Sequence, residues 1–128
     1  MKELVAIAAA GALGTLGRYS ISRWAYHALG PHFAYGTLAV NVVGCFLLGF
    51  LMQVGMTSEA IPRTLRLALT TGFLGAFTTF STFGYETVRY VENGTLGLAA
   101  ANIGANVAVG LLAAWGGLAA ARALITAL

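Results

Sequence analysis

Almost the whole of this chain consists of apolar runs long enough to cross a bilayer, and no other feature narrows its possible folds so far. Charged residues fill 9% of its 128 positions and hydrophobic ones 59%, where a soluble domain carries about a quarter charged. A helical crossing of a ~30 Å hydrocarbon core takes roughly 20 residues. Runs of that order lie at about residues 4–24, 36–56, 67–90 and 96–125, which predicts an all-α membrane protein of four transmembrane helices in a single transmembrane domain, residues 1–128. The first run follows one lysine and resembles a signal peptide. Its removal would leave an odd number of spans, so it is read as the first transmembrane helix.

The third run contains the segment least suited to lipid. From Thr70 to Phe83 it reads TTGFLGAFTTFSTF, crowding threonine, serine and glycine into the middle of a crossing. Gly72, Gly75 and the hydroxylated run Thr78, Thr79, Ser81 and Thr82 weaken helix propensity there. The expectation is a third helix broken at mid-membrane. Hydrocarbon supplies no water to loose backbone groups, so such a break must be buried in protein or line a cavity. Broken helices expose carbonyls and helix ends, which are the raw material of ion sites.

The remaining polar residues are few. The alanines and glycines of AIAAAGALGTLG in span one permit close helix contact. Arg18 near its end can snorkel to the interface or face a polar vestibule. His27 and His32 fall in AYHALGPHFAY, an interfacial connection with a Gly-Pro turn, and no carboxylate or thiol flanks them at metal spacing. Asn41 in span two needs a partner, either a neighbouring helix or water in a pore. The stretch from Thr57 to Arg66, with Glu59, Pro62 and Arg63, reads as a turn at the membrane surface, and Asn93-Gly94 in VENGT suits a tight reversal. Asn102, Asn106 and Gly110 recur every fourth residue on one face of span four. A polar track and helix-to-helix hydrogen bonding both account for that. Cys45, the one cysteine, is a small packing residue.

The net charge of +3 is spread singly, with no basic cluster to neutralise phosphates, which argues against nucleic acid as a partner. With four spans, Lys2, Arg63, Arg66 and Arg122 fall on one side and Arg18, Arg23 and Arg89 on the other. Four against three is a weak orientational bias. It permits insertion both ways, and hence an antiparallel homodimer.

Gly11 to Arg18 form G-x-x-G-x-x-x-R, Gly36 to Asn41 form G-T-L-x-V-N, and Thr70 to Glu86 form T-T-G-x-x-G-x-x-T-T-F-S-T-F-x-x-E. On these motifs the chain resembles the Fluc (CrcB) family of microbial fluoride channels over nearly its whole length. The resemblance implies a fluoride-selective channel in the bacterial cytoplasmic membrane that exports fluoride passively and protects the cell from it. It also implies an antiparallel dual-topology dimer with two pores and a central structural sodium ion. By position, Phe80 and Phe83 match the pore-lining phenylalanines, Asn41 the pore-facing asparagine and Arg18 the vestibule arginine. Gly75 and Thr78 would offer backbone carbonyls to sodium from both subunits. Thr82 and Glu86 match the polar wall near the rings. Asn102 and Asn106 keep hydrogen-bonding capacity where family members carry hydroxyl, tyrosine or histidine groups, whereas Gly110 has no side chain to contribute.

The residues support that reading independently. An aromatic ring is negative on its face and positive at its edge, so Phe80 and Phe83 can present edges to a small anion without fixed charge. Such weak binding also allows release, which conduction requires. Plain packing is the other reading of two phenylalanines three apart. A small dual-topology drug exporter would need a membrane-embedded carboxylate in span one, which has no acid after Glu3. A purely structural membrane subunit is a further reading, and no nucleophile with a base, metal cluster or phosphate loop suggests an enzyme.

Overall fold

The computed structural model describes residues 1–57 and 61–127. Helix α1 (Lys2–Leu29) runs five residues beyond the expected end of span one at Trp24 and stops at Gly30, whose φ of 85° is a left-handed conformation that favours glycine. The connection therefore begins at the Gly-Pro turn itself, and His27 lies on the helix. Helix α2 (Tyr35–Thr57) follows.

Pro62 caps the next rod, which starts as α3 (Arg63–Leu67), widens into a π-helical stretch at Ala68–Leu74 and tightens again as α4 (Gly75–Phe77). Arg63 and Arg66 are thus helical residues, not loop residues; Glu59, in the same connection, lies outside the described residues. Helicity then stops for two residues. Thr78 (φ −85°, ψ 159°) and Thr79 (φ −151°, ψ 116°) are extended, and α5 (Phe80–Glu92) starts afresh. Thr79 is its N-cap, its hydroxyl accepting the Thr82 backbone N–H at 3.1 Å. The chain reverses at Asn93-Gly94, where Gly94 has a φ of 72°. It returns as α6 (Leu96–Gly104), a second π-helical stretch (Ala105–Val109) and α7 (Gly110–Ala127).

Among the described residues, three helices are long and apolar enough to cross a membrane: Lys2–Leu29, Tyr35–Thr57 and Leu96–Ala127. The rod at 63–77 and α5 do not qualify separately, because the break at Thr78 and Thr79 divides them. In space α1 packs on the 63–77 rod and on α2, α2 packs on α7, and α5 packs on α6. The break therefore carries the chain from the α1 side of α2 to the α6 side.

Small residues set these contacts. A Cβ on Gly14 would collide with the backbone carbonyl of Phe73, and a Cβ on Gly117 with that of Phe46. Close backbone approach of this kind is how helices associate where lipid removes the hydrophobic drive. Val40, Leu74 and Phe77 form the buried core, with Ile21, Leu47, Leu51 and Phe73 packed around it. The core lies directly beside the break and holds it from the α1 side.

One end of the molecule gathers the tips of α1, α2, α3 and α7. There Arg63 pairs with Glu3 at 3.3 Å, Arg66 donates to the Gly55 carbonyl at 2.9 Å and Arg122 donates to Gln53 at 3.3 Å. Large apolar side chains such as Leu13, Leu16, Trp24, Leu111 and Trp115 are exposed along the helices, as expected of surfaces that meet lipid or another subunit.

Candidate functional site

The break is held by side chains from two other helices. Asn41, on α2, meets the extended backbone of Thr79 as a strand partner would: its Oδ1 accepts the Thr79 N–H at 2.8 Å and its Nδ2 donates to the Thr79 carbonyl at 3.1 Å. The second Nδ2 hydrogen goes to Asn106 Oδ1 at 3.0 Å. Asn106 in turn donates to the Asn102 carbonyl at 2.9 Å and to Asn102 Oδ1 at 3.1 Å, and Asn102 donates to Thr87 Oγ1 at 3.0 Å. One polar chain thus joins α2, the break, the last rod and α5. The hydroxyl of Thr79 extends it, donating to Thr82 Oγ1 at 3.0 Å.

Diverting these donors has a consequence for the backbone. In an unbroken helix the Thr79 N–H would bond the Gly75 carbonyl and the Thr82 N–H the Thr78 carbonyl. Here the first goes to Asn41 and the second to the Thr79 hydroxyl. Neither returns to the carbonyl four residues back.

A cavity of about 340 Å³ opens beside the break. Asn41, Gly75, Thr78, Phe80, Phe83 and Asn106 all line it. The Phe80 and Phe83 rings have centroids 5.5 Å apart and planes inclined at 52°. Phe80 is 82% exposed and stands out from its own chain. Both π-helical stretches contribute to the same cavity, the first through Thr70 and Leu74, the second through Asn106 and Val107. Widened turns leave the regular hydrogen-bond ladder and recur at functional sites.

The other expected site residues lie elsewhere. Glu86 and Thr82 line a second cavity of about 320 Å³, walled by Tyr26, Phe33, Tyr35, Tyr85 and Tyr90. There Thr37 donates to Glu86 Oε1 at 2.9 Å, while Oε2 is buried with no hydrogen-bond partner. Arg18 lines a third cavity with Thr15, Ser22, Thr37, Thr79 and Thr82, and makes no hydrogen bond or ion pair among the described residues. Thr79 belongs to the first and third cavities, and Thr37 and Thr82 to the second and third. Threonine hydroxyls therefore mark the boundaries between them. Asn102 is fully buried and lines none of these cavities. Gly110 packs its open face near the Cys45 thiol.

Thr37 was not singled out from the sequence, and Thr79 was marked only as one of the hydroxylated run that weakens the helix. Thr37 sits one helical turn before Asn41, a spacing that puts both on one face of α2, and this signal was available in Gly-Thr-Leu-x-Val-Asn. Thr79 gave no local sign of being the residue that three side-chain contacts converge on. Among the described residues no three His, Cys, Asp or Glu side chains come together to hold a metal.

Apolar helices of crossing length, packed around a divided helix with a cavity beside its break, define a multi-pass helical membrane protein. The matches to known proteins are more specific. A family model described as "CrcB-like protein, Camphor Resistance (CrcB)" matches residues 5–118, and the chain belongs to that family. Proteins named "Fluoride-specific ion channel FluC" are similar over nearly full length. That of Syntrophotalea carbinolica is 53% identical over 95% of this chain and 99% of its own. The one from Citrifermentans bemidjiense is 51% identical over 97% and 100%. The Dehalococcoides mccartyi protein is 53% identical over 88% and 86%.

Proposed function

We propose that this protein is a fluoride channel of the bacterial cytoplasmic membrane that lets fluoride leave the cell passively and so protects it. The observation that carries the reading is the Phe80–Phe83 pair, with centroids 5.5 Å apart, on the wall of a cavity that Asn41 and Asn106 also line, in a chain about half identical to proteins named as fluoride channels. Ring edges attract a small anion without the cost of leaving a fixed charge in a low-dielectric setting. The Thr82 hydroxyl and the carboxamides of Asn41 and Asn106 make the wall polar near the rings, Asn102 holds Asn106 from behind that wall, and Glu86 shapes the far end beside Thr37. Arg18, without a counter-ion among the described residues, concentrates anions at the mouth.

The 63–77 rod and α5 together make the third crossing, which gives four spans interrupted at mid-membrane. Each pore is completed by a second copy inserted the other way up. The exposed ring of Phe80 and the open faces of Gly84 and Gly104, with nothing within 4 Å of an added Cβ, suit a surface awaiting a close helical neighbour. The balance of four basic residues against three permits both orientations.

The carbonyls of Gly75 and Thr78 fit a hard cation, because they are oxygen donors whose usual helical partners are bonded elsewhere. A structural sodium ion shared by the two subunits would neutralise their mutual repulsion. Asn41 and Thr79 hold the break open beside these carbonyls.

Fluoride efflux from liposomes loaded with fluoride or chloride tests the function directly. Fluoride release well above that of protein-free vesicles, with chloride retained, is expected; release equal to protein-free vesicles overturns it.

A further inference from the structure

We infer that Asn41 and Thr79 are positioning residues that create the cation site by drawing off the two backbone donors that would otherwise occupy its ligands. The inference rests on the structural sodium ion proposed above and assigns to these two side chains a role apart from the anion path.

The geometry is specific. Asn41 spends both Nδ2 hydrogens, on the Thr79 carbonyl at 3.1 Å and on Asn106 at 3.0 Å, and its Oδ1 takes the Thr79 N–H at 2.8 Å. No Asn41 donor is left over for a passing anion in this arrangement. Its two-point grip instead mimics a paired strand and keeps Thr79 extended. That grip removes the donor to the Gly75 carbonyl. The Thr79 hydroxyl removes the donor to the Thr78 carbonyl, accepting the Thr82 N–H at 3.1 Å. The two carbonyls relieved in this way are the two that the cation would need. Neighbouring packing holds Thr78 too: a Cβ on Gly44 would collide with the Thr78 methyl, so α2 fits closely against the break with Gly44 one helical turn from Asn41.

Without either side chain, a backbone N–H becomes free to return to a carbonyl ligand and compete with the cation. The competing hydrogen bond is worth enough to weaken cation binding by about ten-fold. Thermal unfolding of the purified protein, with sodium replaced stepwise by N-methyl-D-glucamine at constant ionic strength, reads this as the sodium concentration giving half of the full stabilisation. Thr79→Val, nearly isosteric but lacking the hydroxyl, is expected to raise that concentration by about ten-fold, and Thr79→Ser to keep it within about two-fold of the wild type. Asn41→Leu is expected to behave as Thr79→Val. A loss of packing alone lowers unfolding temperature equally at all sodium concentrations and leaves the midpoint in place.

Wild-type midpoints retained in Thr79→Val and Asn41→Leu would overturn the inference. Should Asn41→Leu not fold, the Thr79→Val and Thr79→Ser pair still decides it. A wild-type protein indifferent to sodium would instead remove the proposed cation itself, which separates failure of that reading from failure of this one.

Discussion

At the residue scale the site is a matter of which hydrogen-bonding groups are spent and which are left. Phe80 and Phe83 bring no such groups, only ring faces and edges, with planes inclined at 52°. Phe80→Ile and Phe83→Ile are each expected to reduce fluoride flux by at least about ten-fold while the protein still folds, because isoleucine keeps bulk but has no positive edge. Wild-type flux in both would take the rings out of the mechanism. Thr37 illustrates the opposite economy. It supplies the hydrogen bond to Glu86, whose other oxygen is already buried without a partner. Thr37→Val is expected to destabilise the fold by about 1–3 kcal/mol, measured by denaturant unfolding in detergent, since it leaves a second carboxyl oxygen unsatisfied. No change in stability would mean that the carboxyl finds another donor.

At the element scale, the divided helix and the close contacts around it decide the architecture. Gly116 and Gly117 are neighbours on α7 and indistinguishable as letters in the sequence. A Cβ on Gly117 would strike the Phe46 carbonyl, whereas one on Gly116 would meet the Phe46 ring at 3.8 Å, an ordinary contact. Gly117→Ala is therefore expected to cost about 1–3 kcal/mol through forced separation of α2 and α7. Gly116→Ala should be neutral or gain up to about 1 kcal/mol from helix propensity. Equal unfolding temperatures for the two variants would contradict this packing. The break itself follows the same logic, since nothing in Thr78 and Thr79 forces an extended backbone. It persists because Asn41 binds Thr79 on both its N–H and its carbonyl.

At the scale of the whole molecule, the chain by itself leaves much apolar surface uncovered, and Phe80 most of all among the site residues. A second, inverted copy is the proposed cover. Lys2, Arg63, Arg66 and Arg122 belong to one end, and the contacts of Arg63 with Glu3, of Arg66 with Gly55 and of Arg122 with Gln53 draw those tips together. Arg18, Arg23 and Arg89 belong toward the other. Tags on the two termini, probed from each side of the membrane, are expected to react from both sides in comparable amounts. Reaction from one side only would end the antiparallel model.

The sequence by itself determined the class of protein and the place where regular structure would fail. Apolar runs of crossing length admit few alternatives to helices in a bilayer, since every backbone group must be satisfied within its own segment. Glycine and clustered hydroxyls at Thr70 to Phe83 marked the weak point, and the motifs there carried the family. Only the tertiary structure decided what those polar residues bond to. The same letters Asn41, Asn102 and Asn106 suit a wet track or a dry chain of amide contacts, and which one forms depends on distances between helices far apart in sequence. The π-helical widenings at Ala68–Leu74 and Ala105–Val109 and the convergence on Thr79 were equally illegible, because each arises from one backbone pressing on another. A linear pattern records which residues prefer a helix; it does not record which neighbour will take the hydrogen bond that a helix gives up.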